Sequence, residues 1–250
     1  MRVIAFINNK GGTGKTTSCI NTAAALSLRG LKCLLVDIDP QGSLSASAGY
    51  ADLDERDLTT YEVLEGEDIN IAVIRRKDSY DILPADTRLS GGEITFINKE
   101  RRNYLLKDAL AYLKTPYDFV LIDCPPSLNI FTLMALSAAT EVIIPVQAQY
   151  LPLVGVAQIK ETIELVQERF NPDIQLGGIL LTFYHDNWNL DKEVGEALEQ
   201  AFGEKVFKTR INQSNKLAEA PSYGKDVIAY SNRSKGAAQY RQLAEEILNH

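Results

Sequence analysis

Cysteine is scarce in this 250-residue chain, with only Cys19, Cys33 and Cys124. No two of them stand in C-x-x-C spacing, which argues against both a disulfide framework and a structural zinc site. Each is expected to be a small buried filler. Histidine is scarcer still: His185 and His250 are too few and too far apart for a histidine-rich metal centre. No apolar run approaches the roughly 18 residues of a membrane span. The start Met1-Arg2-Val3-Ile4-Ala5-Phe6-Ile7 gives way at once to Asn8-Asn9-Lys10, without the longer apolar region and cleavage site of a signal peptide. A cytoplasmic protein is expected. The chain also lacks an excess of positive charge. Its 26 Lys and Arg face 33 Asp and Glu, a net charge of -7, so its surface as a whole is no basic clamp, although a local basic patch remains allowed.

With 45% hydrophobic residues and 24% charged, the chain has the material for a buried core and no fibrous or disordered bias. Short apolar runs recur at Val3 to Ile7, Cys33 to Val36, Asp81 to Leu83, Phe119 to Ile122, Val142 to Val146 and Leu176 to Leu181. Between them lie stretches with apolar residues every three or four positions, at Lys15 to Leu28, Arg101 to Leu113, Leu128 to Ser137, Leu153 to Phe170, Leu190 to Ala201 and Lys235 to Leu248. This alternation predicts an α/β fold: one three-layer domain over residues 1–250, with a mostly parallel central sheet flanked by helices. The least regular stretch, Gly42 to Gly92, holds the charged run Asp52 to Asp57 and reads as a solvated insertion.

Gly11-Gly12-Thr13-Gly14-Lys15-Thr16-Thr17 directly follows the first strand and precedes a helix, the context of a phosphate-cradling P-loop. Glycines let the backbone amides approach phosphate oxygens, Lys15 neutralises charge on the terminal phosphates, and Thr16 offers a hydroxyl to magnesium. Two strands end in acids, Asp37-Ile38-Asp39 and Asp123-Cys124-Pro125-Pro126, at the sheet edge where ligands gather in open α/β folds. Asp123 is expected to organise the metal, Asp37 to support it, and Asp39, beyond the strand at the Pro40-Gln41-Gly42 turn, to orient an attacking water. Such catalysis rests mainly on alignment and electrostatics.

These motifs, together with Glu141-Val142-Ile143-Ile144-Pro145-Val146 and Glu219-Ala220-Pro221-Ser222-Tyr223-Gly224-Lys225, resemble those of the ParA/MinD group of deviant Walker ATPases, and among them the ParA/Soj-type partition proteins. The resemblance runs over nearly the whole chain. It implies ATP and Mg2+ as cofactors and an ATP-dependent homodimer, a nucleotide sandwich in which Lys10 crosses to the partner's phosphates. It also implies that Thr182, Ile211, Asn212 and Gln213 lie near the adenine. Nonspecific double-stranded DNA is the implied track, a basic-tailed adaptor protein the implied stimulator of slow hydrolysis, and the nucleoid the implied place of work.

Between Glu204 and Lys235 stand Lys205, Lys208, Arg210, Lys216, Lys225, Arg233 and Lys235, against three acidic residues. If several share one face, they form a sequence-indifferent phosphate footprint. Two departures weaken that expectation. Asn187 and Gln213 stand where relatives of this type usually carry arginine, and amides supply no counter-charge. Two alternatives stay open: a positioning ATPase for a non-DNA protein assembly, and a nucleotide-dependent switch with little turnover. A membrane track is disfavoured, because the last helix is acidic near its end.

Overall fold

The computed structural model describes residues 1–54, 56–77, 79–148 and 152–249. Glu55 of the acidic run and His250 lie outside the described residues. Six strands, β1 (Arg2–Phe6), β2 (Cys33–Asp37), β3 (Asp81–Leu83), β4 (Phe119–Asp123), β5 (Glu141–Gln147) and β6 (Gln175–Thr182), form one sheet in the order β3-β2-β4-β1-β5-β6. Every pairing between these strands is parallel. The helices are α1 (Lys15–Ser27), α2 (Ser43–Ser47), α3 (Thr60–Glu65), α4 (Ile69–Ala72), α5 (Leu89–Phe96), α6 (Leu105–Ala111), α7 (Ile130–Ala138), α8 (Pro152–Arg169), α9 (Asn189–Phe202), α10 (Asn215–Glu219), α11 (Val227–Tyr230) and α12 (Lys235–Asn249).

Strand periodicity divides the core in two. Val3, Ala5, Leu34, Val36, Val120 and Ile122 face a layer built from α3 to α9, with Leu106, Phe131 and Ile159 buried in it. Their neighbours Ile4, Phe6, Cys33, Leu35, Phe119 and Leu121 face the opposite layer of α1, α11 and α12, with Ala23, Val227 and Tyr240. Both faces are covered, which is why the strands read as unbroken apolar runs. Full burial of a side chain such as Leu35 or Ile122 contributes roughly 1.5–3 kcal/mol. By the same alternation the side chains of Asp37 and Asp123 project to the α1 face, in line with Leu35 and Leu121. The register sets Phe6 opposite Asp123 and Asp37 opposite Asp123. Strand pairing alone therefore brings both acids to one edge, beside the loop that leaves β1.

Two expectations change. The stretch from Gly42 to Gly92 is no solvated insertion: Val63, Leu64, Ile69, Ala72, Leu83 and Leu89 are part of the buried core. Its helices are too short for a periodic signal, and local caps define them. Thr59 and Glu62 form a reciprocal capping box for α3, and Asp68 caps α4. The second change lies at Arg101, which has a left-handed backbone (φ 55). A 3-10 turn over Arg102–Tyr104 follows, so the regular helix begins only at Leu105. The three cysteines are buried fillers, as expected, with burial raising each thiol pKa.

Candidate nucleotide site

The loop from Lys10 to Gly14 turns through two left-handed glycines, Gly12 (φ 74) and Gly14 (φ 81), and Gly14 caps α1. An L side chain at either position would be strained by about 1–2 kcal/mol. The loop is tied down from the neighbouring strands. Gln147 Nε2 donates to the Gly12 carbonyl at 2.6 Å, and Thr182 Oγ1 donates to the Thr13 carbonyl at 2.9 Å. With those carbonyls held outward, the amides of the loop and of the first α1 turn are left for an anion.

Lys15 and Lys10 take opposite stations. Lys15 is only 7% exposed, and its Nζ lies 3.4 Å from the Lys10 carbonyl oxygen. Burial lowers its pKa, while the neighbouring Asp123 counteracts that shift. Lys10 lies on the exposed outer side of the loop, its backbone N–H bonded to Asn8 Oδ1 at 3.0 Å.

Thr16 Oγ1 donates to Asp123 Oδ2 at 2.7 Å, whereas Asp123 Oδ1 is buried without a hydrogen-bond partner. Burial, followed by the nearby Asp37, pushes the Asp123 carboxyl well above the usual range, and the Thr16 bond and Lys15 only partly oppose this. Asp37 is pushed up to about 7 by burial, against the lowering effect of its bonds from Ser45. Those bonds reach Oδ2 from Ser45 N at 2.8 Å and Oγ at 2.7 Å, and Oδ1 accepts from Asp39 N at 3.1 Å. Asp39 in turn accepts from Gln41 N at 3.0 Å within the turn. Asp37 is thus braced by the residues that follow it, while Asp123 keeps one buried oxygen without a hydrogen-bond partner beside the one that Thr16 fills.

A divalent cation fits this arrangement. The donors are hard oxygens, the orphaned Asp123 oxygen is undercompensated, and the crowded acids are relieved by positive charge. Among the described residues no group of three or more His, Cys, Asp or Glu side chains could hold a metal alone. That suits magnesium, which keeps waters and shares its ligands with phosphate oxygens.

Beside Gly14 and Thr17 opens a cavity of about 170 Å³, lined by Thr182, Phe183, Ile211, Asn212, Gln213 and Tyr240 among others. The four residues anticipated for a base, Thr182, Ile211, Asn212 and Gln213, are thus brought together next to the loop. The Asn212 side chain is already committed, donating to the Tyr184 carbonyl at 2.8 Å and accepting from Gln239 Nε2. Phe183 and Tyr240 escaped sequence reasoning. Phe183 has a left-handed backbone (φ 51) and packs over Gly14, and Tyr240 OH meets Ser18 Oγ at 3.2 Å from α12. No local motif marks either one.

The seven basic residues do not share one face. Lys205 lies with Arg2, Thr140, Glu141 and Gln175, at the edge where β5 and β6 begin, opposite the phosphate loop. Lys208, Arg210 and Lys235 line one recess that also holds Asp186, Glu245 and Glu246. Arg210 pairs with Glu199 at 2.8 Å, Lys216 with Glu219 at 2.8 Å and Lys235 with Asp186 at 2.7 Å. Lys225 and Arg233 are exposed.

A three-layer α/β fold with a strand-to-helix phosphate loop and acids on the adjoining strand ends defines a P-loop nucleotide-binding protein. Comparison with known proteins narrows the class. The model of the AAA domain family matches residues 1–176. The chromosome-partitioning ATPase Soj of Treponema pallidum is 43% identical over 249 residues, 99% of this chain and 97% of its own. The sporulation initiation inhibitor protein Soj of Bacillus subtilis is 41% identical, with 98% of each chain covered. Among solved structures, a cobyrinic acid a,c-diamide synthase of Mycobacterium smegmatis with bound ADP and magnesium superposes with a TM-score of 0.87. It is 36% identical and covers 100% of this chain and 95% of its own. This chain belongs to the ParA/Soj-type partition ATPases of the ParA/MinD deviant Walker-A family.

Proposed function

We propose that this chain is a cytoplasmic, magnesium-dependent ATPase that forms an ATP sandwich dimer, binds duplex DNA without sequence preference, and releases it after hydrolysis stimulated by a basic-tailed adaptor. The observation that carries the reading is the division of labour between two lysines on one loop. Lys15 is turned inward beside Asp123, while Lys10 lies on the outer side. A buried ammonium serves the phosphates of its own site, and a lysine on an exposed residue of the same loop is placed to meet a second copy of the site.

In this reading the loop amides of Gly11 to Thr17 and the start of α1 cradle the phosphates, and Lys15 neutralises their charge. Thr16 and Asp123 would hold magnesium, with Asp37 supporting them by charge; the ion supplies charge neutralisation at the transferring phosphoryl group. Asp39, beyond the strand end, orients the attacking water. Thr182, Ile211, Asn212 and Gln213 enclose the base. The partner's Lys10 senses the terminal phosphate, so its loss on hydrolysis weakens the dimer. Lys208, Arg210, Lys216, Lys225, Arg233 and Lys235 supply the phosphate footprint, some after opening exposed ion pairs that hold only about 0–1 kcal/mol each. Lys205, on the opposite edge, contacts DNA only if the duplex wraps the domain.

A second reading, a positioning ATPase on a protein track, is favoured by one observation. Three of the seven basic residues are paired with acids on their own chain. Binding to long duplex DNA by the nucleotide-free, ADP and ATP forms, with a salt titration, separates the two. ATP-dependent binding that falls steeply with salt supports the DNA track. No binding by the ATP form at low salt removes it and leaves the protein track.

A further inference from the structure

The Ser45 hydroxyl, in α2, joins two chain segments that converge at the edge of the sheet. It accepts the backbone N–H of Ala85, just beyond β3, at 2.8 Å, and it donates to Asp37 Oδ2, at the end of β2, at 2.7 Å. The Ser45 backbone N–H donates to the same carboxylate oxygen at 2.8 Å. The other oxygen, Oδ1, accepts the backbone N–H of Asp39 at 3.1 Å. From there the turn closes on itself, with Gln41 N bonded to Asp39 Oδ1 at 3.0 Å and Gly42 N to the Asp39 carbonyl at 2.9 Å. Ser45, Asp37 and Asp39 are all buried. One serine side chain thus stands at the head of a chain of bonds that ends on the acid beyond β2.

A backbone N–H can only donate, so the bond from Ala85 leaves the single hydroxyl proton of Ser45 for Asp37. Two donors from one residue on Oδ2 fix the rotation of the Asp37 carboxylate, and that rotation decides where Oδ1 meets the backbone of Asp39. The turn itself is closely fitted to the β3 side: a Cβ on Gly42 would lie 2.8 Å from the Ala85 carbonyl oxygen. Thr60 Oγ1 clasps the same two segments, meeting the carbonyl oxygens of Asp37 at 2.6 Å and Pro84 at 3.1 Å. Thr60 therefore holds the backbone of the turn, and Ser45 holds the carboxylate. We propose that Ser45 is a positioning residue for ATP hydrolysis, which acts through Asp37 to fix Asp39 where it orients the attacking water. Phosphoryl transfer rests on alignment, and displacement of a group by about 1 Å costs up to about a hundredfold in rate. The inference rests on the reading of Asp39 as the water-orienting residue and adds to it what holds that residue in place.

The test is a double-mutant cycle on the full chain with magnesium and ATP: wild type, Ser45→Ala, Asp39→Ala and the double variant. Single-turnover phosphate release and equilibrium nucleotide binding are measured on each. Ser45→Ala is expected to slow release about tenfold, the equivalent of one hydrogen bond to a carboxylate whose other donors remain. Its nucleotide affinity should stay within about threefold of wild type, because the loop amides and Lys15 are untouched. In the Asp39→Ala background the same substitution should slow release no further, since a residue that acts through Asp39 has nothing left to position. Rates are taken per bound nucleotide, so a fraction of unfolded variant does not distort them. Wild-type release by Ser45→Ala, an equal slowing in both backgrounds, or a loss of nucleotide affinity that matches the loss of rate would each overturn the proposal. A slow Asp39→Ala beside a Ser45→Ala of wild-type rate refutes this inference alone, whereas wild-type release by Asp39→Ala refutes the water-orienting reading with it.

Discussion

Asp37→Asn in protein stripped of nucleotide and magnesium is expected to flatten the dependence of stability on pH between about 4 and 7. The Asp37 carboxyl is raised from 3.8 to about 7 in the fold, with burial as the first cause. A lift of about three pH units corresponds to a folding penalty on the order of 4 kcal/mol once the group is ionised. Across that window the native state holds a proton that the unfolded chain has released. Stability contributed by the protonated group is therefore fully present below about 4 and is lost as pH rises through 7. Asparagine removes the ionisation but sets its NH2 group against one of the donors now satisfied by Asp37, Ser45 N and Oγ or Asp39 N, at a cost of about 1–3 kcal/mol. The variant should be more stable than wild type at pH 8 by roughly 1–3 kcal/mol and should lose that advantage near pH 5. Urea denaturation in chelator at pH 5, 6, 7 and 8 measures it. Equal pH slopes for the two proteins would refute the claim that Asp37 is a raised, buried acid.

Three further outcomes are expected. Lys15→Ala removes the buried ammonium beside Asp123 and should weaken nucleotide binding roughly 10- to 150-fold, the equivalent of a charge-assisted contact, as read by fluorescent-nucleotide titration. Asp39→Ala should leave nucleotide affinity within a few-fold while lowering phosphate release about a hundredfold or more in single-turnover assays, as loss of a water-positioning group does. Gly224→Ala forces a left-handed residue (φ 60) to place its Cβ 2.6 Å from Gly49 Cα, and a loss of about 2–5 kcal/mol in a denaturant melt is expected.

The parts of the site that could be read from sequence are those in which chemistry and chain order coincide. A phosphate loop needs its glycines, Lys15 and Thr16 within a few consecutive residues, directly after β1, so the local string carries the geometry. Asp37 and Asp123 were legible for a related reason. Parallel strands end at a common edge, and the register that places both opposite one another follows from strand order. Ser45 was not legible, although it braces Asp37 through both its N–H and its hydroxyl. Its helix α2 has five residues, shorter than any periodic signal. Tyr240 and Phe183 reach the site through packing of α12 and a left-handed backbone at the end of β6, and neither leaves a mark on neighbouring residues.

Charge distribution lay furthest from reach, and the reason is directional. A sequence counts charges, whereas a phosphate footprint requires several of them to point one way at the spacing of a backbone. Within Glu204 to Lys235 the chain turns through a 3-10 turn at Gly203–Lys205, α10, another such turn at Ala220–Tyr223, and α11, so its direction changes every few residues. Lys205 ends beside Arg2 and Glu141, at the base of the sheet, while Lys208, Arg210 and Lys235 meet in one recess with Asp186, Glu245 and Glu246. All three of those acids lie outside the basic segment, Asp186 before it and Glu245 and Glu246 after it, so the local excess of positive charge does not survive folding intact. Lys225 and Arg233, both exposed, flank α11. In the proposed sandwich dimer a second protomer doubles that face without adding a residue to the chain, and under the DNA-track reading the need for more phosphate contacts than one copy presents is a physical reason for binding to depend on dimerisation.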